Sequence, residues 1–162
     1  STPIKSSAAS DVYKRQIYSN LDDLNTDIIC DTEKNGYRFT VNTHLVDINQ
    51  NAPAQGEIPV TIYYTYTRQG LEINVENCYD ATYLMLPVIA SPAEEVKVTP
   101  QKASINKDGG TLSITCTAGH IEVAPTDKDG RIFNPVPGFS FVPLRIIPNS
   151  SEKKIRINIL FR

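Results

Sequence analysis

The side chains best suited to exchange a proton near neutral pH are two histidines, His44 and His120. His44 falls on the polar side of an alternating run, which reads as a solvated strand residue. Its sharper reading, a general base or metal ligand, requires an acid or a thiol brought beside it by the fold. Cys116-x-x-x-His120 has a spacing that could chelate, but it straddles a Thr-Ala-Gly turn, and a structural zinc site needs four ligands. No C-x-x-C pair occurs among the three cysteines, Cys30, Cys78 and Cys116. Zinc-ribbon and thioredoxin chemistry are therefore not indicated. One disulfide with a free thiol, or three buried thiols acting as small hydrophobes, both fit that count.

Other chemistry is similarly unsupported. Glu72 and Glu76 share a strand face, but at roughly 3.3 Å per residue they stand about 13 Å apart. Paired glycosidase carboxyls sit closer, at about 5–9.5 Å. Asn106-Lys-Asp108-Gly109 and Asp127-Lys-Asp129-Gly130 resemble fragments of calcium loops but lack the further oxygen ligands and the closing Glu. They read as hairpin turns, where Asp and Gly accept positive φ. There is no nucleophile elbow and no phosphate-cradling glycine loop. We assign no catalytic residue, no metal ligand and no cofactor.

Tyrosines are the stronger surface candidates. In Ile58 to Thr67 (IPVTIYYTYT), Tyr64 and Tyr66 share a face with Ile62, and Tyr63 takes the opposite one. A strand tyrosine left in solvent can stack on a sugar ring and offer a polar hydroxyl at its rim. The competing reading is that these rings pack beneath a neighbouring strand or domain. The candidate ligand-binding residues are thus Tyr63, Tyr64, Tyr66 and, more weakly, His44.

The elements that carry these residues are strands. Tyr37 to Asn49 alternates, with Tyr37, Phe39, Val41 and Leu45 facing one way and Arg38, Thr40, Asn42 and His44 the other. Asn35-Gly36 before it signals a turn. Ile58 to Thr67, the turn Arg68-Gln69-Gly70 and Leu71 to Cys78 form a hairpin. Tyr83 to Ala90 is almost continuously apolar, predicting burial on both faces, with Pro87 marking a bulge or an edge. Short strands follow at Glu95 to Thr99, Ala103 to Asn106, Thr111 to Thr117 and His120 to Ala124. Phe133 to Phe139 reads as a rigid two-proline loop. Phe139 to Ile147 and Lys154 to Phe161 close the chain. No segment shows a helical stripe, and Leu21 to Ile29 has room for one turn at most. The pattern predicts an all-β antiparallel sandwich of about 9–11 strands at the spacing such folds favour.

Composition agrees. A chain of 162 residues with 40% hydrophobic and 21% charged residues fits one globular domain. A net charge of −2 with no basic stripe gives no footprint for nucleic acid. The densest cationic cluster, Lys153, Lys154 and Arg156, reads as a solvated strand face. No apolar run approaches the roughly 20 residues of a membrane-spanning helix.

Ser1 to Gln16 has no apolar period and is set apart as a non-native or disordered tail, with 17–162 as the β-sandwich domain. Within it, Ser6 to Gln16 (SSAASDVYKRQ) resembles a translated sequencing adapter of the kind fused to truncated metagenomic reading frames. That resemblance implies a natural protein extending further upstream. The runs VTIYYTYTRQGLEINVE, YLMLPVIASP and RIFNPVPGFSFVPLRI resemble the C-terminal β-sheet domains of large bacterial polysaccharide-degrading enzymes, nearest in feel to the heparinase II/III-like lyases. In those enzymes a helical toroid carries most of the catalytic machinery and the β domain packs against it. The resemblance implies an accessory or structural domain with an upstream catalytic domain or a polysaccharide as partner, at a periplasmic or extracellular address. No catalytic residue of that family is matched here.

Overall fold

The computed structural model describes residues 4–7, 17–79, 81–125, 133–136 and 139–162. Fourteen strands run through them: β1 (Ile4–Ser7), β2 (Ile17–Ser19), β3 (Asp27–Glu33), β4 (Gly36–His44), β5 (Pro59–Thr67), β6 (Gly70–Glu76), β7 (Thr82–Ile89), β8 (Val96–Val98), β9 (Lys102–Lys107), β10 (Gly110–Ala118), β11 (His120–Val123), β12 (Phe133–Val136), β13 (Phe139–Ile147) and β14 (Ile155–Phe161). One 3-10 turn at Asn20–Asp22 interrupts the strands, overlapping the start of the Leu21 to Ile29 stretch that had room for a single turn. The all-β class is as the alternation predicted.

Two antiparallel sheets form the sandwich. The larger has the order β3-β4-β5-β6-β14-β10-β9-β8, and the smaller β11-β13-β7-β1-β2 with β12 beside β13. Consecutive hairpins build β3 through β6, while β14 enters between β6 and β10. The register aligns apolar side chains in rows across the inner face of the larger sheet. One row runs Ile28, Val41, Ile62, Val75, Ile155; the next Cys30, Phe39, Tyr64, Ile73, Ile157, Cys116. A third runs Thr32, Tyr37, Tyr66, Leu71, Ile159, Ile114, Ala103. The middles of these rows are buried against Leu84, Leu86, Val142, Leu144 and Ile146 of the smaller sheet. At 25 cal/mol per Å², each fully buried Ile or Leu contributes about 1.5–3 kcal/mol, so this layer is the main source of stability.

Three details differ from the alternation reading. β7 is buried on one face only: Leu84, Leu86 and Val88 are buried, whereas Pro87 and Ile89 are exposed. Among the described residues β1 pairs with Thr82, Tyr83 and Leu84, and Pro87 stands opposite Pro143 of β13, so neither partner of that pair has an N–H to donate. The stretch read as a rigid loop holds β12, which folds back on β13; Pro137 and Gly138 lie outside the described residues. Of the segment read as a tail, Ile4–Ser7 pair with both β2 and β7, and 1–3 and 8–16 lie outside the described residues. The Asp127–Gly130 turn does too. The other Asp-Gly turn behaves as predicted, joining β9 to β10 with Gly109 at φ +88°.

Candidate functional site

The four tyrosine and histidine candidates divide between two faces. Tyr63 lies on the outer face of the larger sheet, where the Arg38 guanidinium stacks 4.2 Å from its ring centre. Arg38 Nε is buried there without a hydrogen-bond partner among the described residues. Neighbouring outer-face groups bond along the same surface: Arg156 Nε donates to Asn74 Oδ1 at 2.7 Å, and Asn74 Nδ2 to Glu72 Oε1 at 2.7 Å. Glu72 is thus a strand-face residue tied to an amide.

Tyr64 and Tyr66 point the other way, into a groove of about 760 Å³ at the β3–β4–β5 end of the inner face. The two sheets set this groove. The larger one carries aromatic and aliphatic side chains past the region that the smaller one covers, so they line an open concavity. Tyr37, Phe39, Tyr64 and Tyr66 form an aromatic floor, with Ile28 and Leu71 beside them and Leu86 opposite. Phe39 and Tyr66 meet edge to face, with ring centres 5.7 Å apart, which holds the Tyr66 ring in place. Ile28 is 64% exposed, Tyr37 57% and Tyr66 45%. Sequence reasoning found Tyr64 and Tyr66 but read Tyr37 and Phe39 only as sharing one strand face with Val41 and Leu45. Their parity gave the face, not where cover ends.

His44 stands at the end of β4 with Nδ1 3.6 Å from Asp23 Oδ2, so the fold does bring an acid beside it. That acid is already occupied. Asp23 Oδ2 accepts from Thr43 Oγ1 and from the His44 backbone N–H, both at 2.8 Å, and Oδ1 accepts from the Asn25 N–H at 2.9 Å. Burial pushes the Asp23 carboxyl up, but the Asn25, Thr43 and His44 bonds and the nearby imidazole outweigh it and hold the group below its ordinary value of 3.8. The carboxylate fastens the 3-10 turn to β4. Its role is a clamp on one wall of the groove, since Asn20, Leu21, Asp23 and Thr26 all line it. His120 begins β11 opposite Ile147. Cys116 Sγ donates to the Ala118 carbonyl rather than meeting His120.

The three cysteines are free thiols. Burial pushes Cys78 up to about 12 and Cys116 to about 11, which leaves both protonated and unreactive. Cys30 is exposed on β3. Among the described residues no three of His, Cys, Asp and Glu gather as metal ligands, and no helix is long and apolar enough to cross a membrane.

A second concavity, of about 320 Å³, opens where β7 begins and β13 ends. Thr82, Tyr83, Arg145, Asn149, Ser150 and Lys153 contribute to its lining. Arg145 Nε donates to Glu122 Oε1, and its guanidinium lies 5.5 Å from the Tyr83 ring centre. Nothing in the sequence signalled this cavity, because its walls come from segments some sixty residues apart (Thr82 and Arg145).

No curated protein and no solved structure matches the chain. A family model described as the ulvan lyase C-terminal domain matches residues 11–162. The expected kinship with a C-terminal domain of a polysaccharide lyase therefore holds at that level, while the narrower likeness to heparinase II/III-like lyases is not what the match names. The match also starts inside the adapter-like segment, at residue 11. By this coverage the chain belongs to the ulvan lyase C-terminal domain family.

Proposed function

We propose that residues 17–162 form a non-catalytic accessory domain of a secreted polysaccharide lyase, and that the aromatic groove is where it packs against the catalytic part of the same enzyme. The observation that carries this reading is the groove itself. Ile28, Tyr37 and Tyr66, together with Leu21 at 51% exposure, leave a contiguous apolar surface open on a domain whose core is otherwise well covered. Isolated monomers seldom keep such surfaces in water. The lining is short of free hydrogen-bonding groups, and its most polar member, Asp23, has its oxygens taken by Asn25, Thr43 and His44. An apolar protein surface suits that lining better than a hydroxyl-rich chain does. Location supports the same occupant: the 3-10 turn, near the upstream end of residues 17–162, borders the groove.

A second reading, a glycan-binding module, is favoured by one observation, the edge-to-face pairing that presents the Tyr66 ring upright in the groove beside Tyr37. One experiment separates the two. The chain is titrated by calorimetry with a separately expressed catalytic part of a lyase that carries this domain, and with the soluble polysaccharide. Binding of the protein, weakened at least tenfold by Ile28→Asp and Tyr66→Ala, is the expected result. Binding of polysaccharide alone, lost on Tyr64→Ala and Tyr66→Ala, would replace the docking reading with the glycan one.

A further inference from the structure

We infer that β3 takes on a further strand: an extended segment of the catalytic part of the same enzyme, apolar on one side and basic on the other, paired along the free edge of the larger sheet. The inference rests on the reading that the groove is a docking surface, and it names what closes the groove's open flank. The first observation is the edge itself. β3 ends the strand order of the larger sheet, and all seven of its residues are exposed. It pairs with β4 in unbroken register from Asp27 to Glu33. Its other side therefore offers alternating N–H and C=O groups along about 23 Å, with no strand partner among the described residues.

The second observation is that this edge lacks the usual blunting. Soluble proteins guard sheet edges with short strands, lysines, prolines or bulges. The opposite edge of the same sheet is guarded in this way: β8 has three residues, and its central Lys97 is exposed and paired with Glu95 at 3.3 Å. β3 has no lysine, no proline and no register shift, and it exposes Ile29 at 46% as well as Ile28. Such an edge is a template for strand addition, in which main-chain bonds supply affinity and alternate side chains supply specificity.

The third observation is the division of side chains, which selects the occupant. Ile28 and Cys30 begin two of the apolar rows that run across the inner face, and Ile28 lines the groove. A strand set about 4.8 Å beyond β3 would prolong those rows and lay its apolar side chains along the groove. On the outer face stand Asp27, Ile29, Asp31 and Glu33, and none of the three acids has an ion-pair partner among the described residues. A second copy of β3 is poorly suited to this face. Antiparallel pairing centred on Cys30 sets Asp27 opposite Glu33, and a shift by two residues sets Asp27 opposite Asp31 or Asp31 opposite itself. Like charges directly opposite destabilise a pair, and a shift by one residue turns the apolar face outward. Lysine or arginine at alternate positions of the incoming strand meets the acids instead.

The test is hydrogen exchange and calorimetry on the full chain. The ligands are the separately expressed catalytic part of a lyase that carries this domain, and three capped peptides: TKVKVKT, its isomer TKKVVKT with the alternation broken, and the acidic TEVEVET. TKVKVKT should slow exchange at alternate amides of β3 and bind at least fivefold more tightly than either control. The catalytic part should slow the same amides at least tenfold. Asp27→Lys combined with Asp31→Lys changes only exposed side chains. It should weaken the complex with the catalytic part at least tenfold and turn the peptide preference toward TEVEVET. A complex with the catalytic part that leaves β3 exchange unchanged would overturn the added strand while the groove reading stands. No complex at all would overturn both. Equal binding of the three peptides, or none, would sink the inference, as would a dimer of the isolated chain that protects the β3 amides by itself.

Discussion

Asp23 shows how one side chain can look catalytic and serve as a fastener. It lies beside an imidazole, yet three donors from Asn25, Thr43 and His44 converge on its two oxygens. Asp23→Ala leaves those donors without an acceptor, and urea denaturation should show a loss of about 2–4 kcal/mol. The pH dependence has a definite sign. The folded carboxyl titrates below the ordinary 3.8, so the unfolded chain takes up the proton first. Its contribution is complete above that value and is lost as pH falls through it toward the folded pKa. Asp23→Asn should therefore flatten the acid limb of a stability–pH curve below about pH 4, and an unchanged limb would refute the clamp. The thiols give a second expectation. Ellman's reagent should modify Cys30 alone in the folded protein, and Cys78 and Cys116 only after denaturation. None of this partnership was legible beforehand, because Asp23 and His44 are joined by a turn and a hairpin rather than by any local spacing.

Strands were the most legible level. The runs Leu71 to Cys78 and Lys154 to Phe161 located β6 and β14 within a residue or two. β3 was not separated from its surroundings, and its seven residues are all exposed. A strand at an uncovered edge loses the burial pattern that periodicity detects. β7 misled for a related reason: its outward positions hold Met85, Pro87 and Ile89, so sequence alone suggested two buried faces. The Asn35-Gly36 signal was sound, and Gly36 has a further reason to lack a side chain. A Cβ there would sit 1.7 Å from the Tyr66 carbonyl oxygen. Gly36→Ala should push β4 away from β5 at a cost of about 3 kcal/mol, the upper end for overpacking. Hydrogen exchange would localise the damage, with faster exchange in β3 to β5 and little change in β8 to β10.

At the level of the molecule, the sandwich class followed from many short alternating runs, but strand order did not. Nothing in the residues of β14 announces that it belongs between β6 and β10. Its Ile157 is fully buried, and Ile157→Ala should cost about 2–5 kcal/mol in a single cooperative transition. The groove was equally hidden, since it depends on one sheet carrying its side chains past the other. Placing Lys on the outward side of β3, as Ile29→Lys, should reduce self-association of the isolated chain, read by light scattering, with a stability change within about 0.5 kcal/mol.

The central seat of β14 also bears on how the chain comes off the ribosome. Two hairpin assemblies, Asp27–Glu76 and Val96–Ala118, are synthesised well before the strand that joins them. Until Ile155–Phe161 clears the exit tunnel, each assembly presents a raw inner edge, at β6 and at β10. Nascent chains stalled with Asn149 at the tunnel exit should accordingly recruit chaperones and be cut readily by proteases. Chains held on the ribosome by an added C-terminal linker, with β14 outside, should resist both.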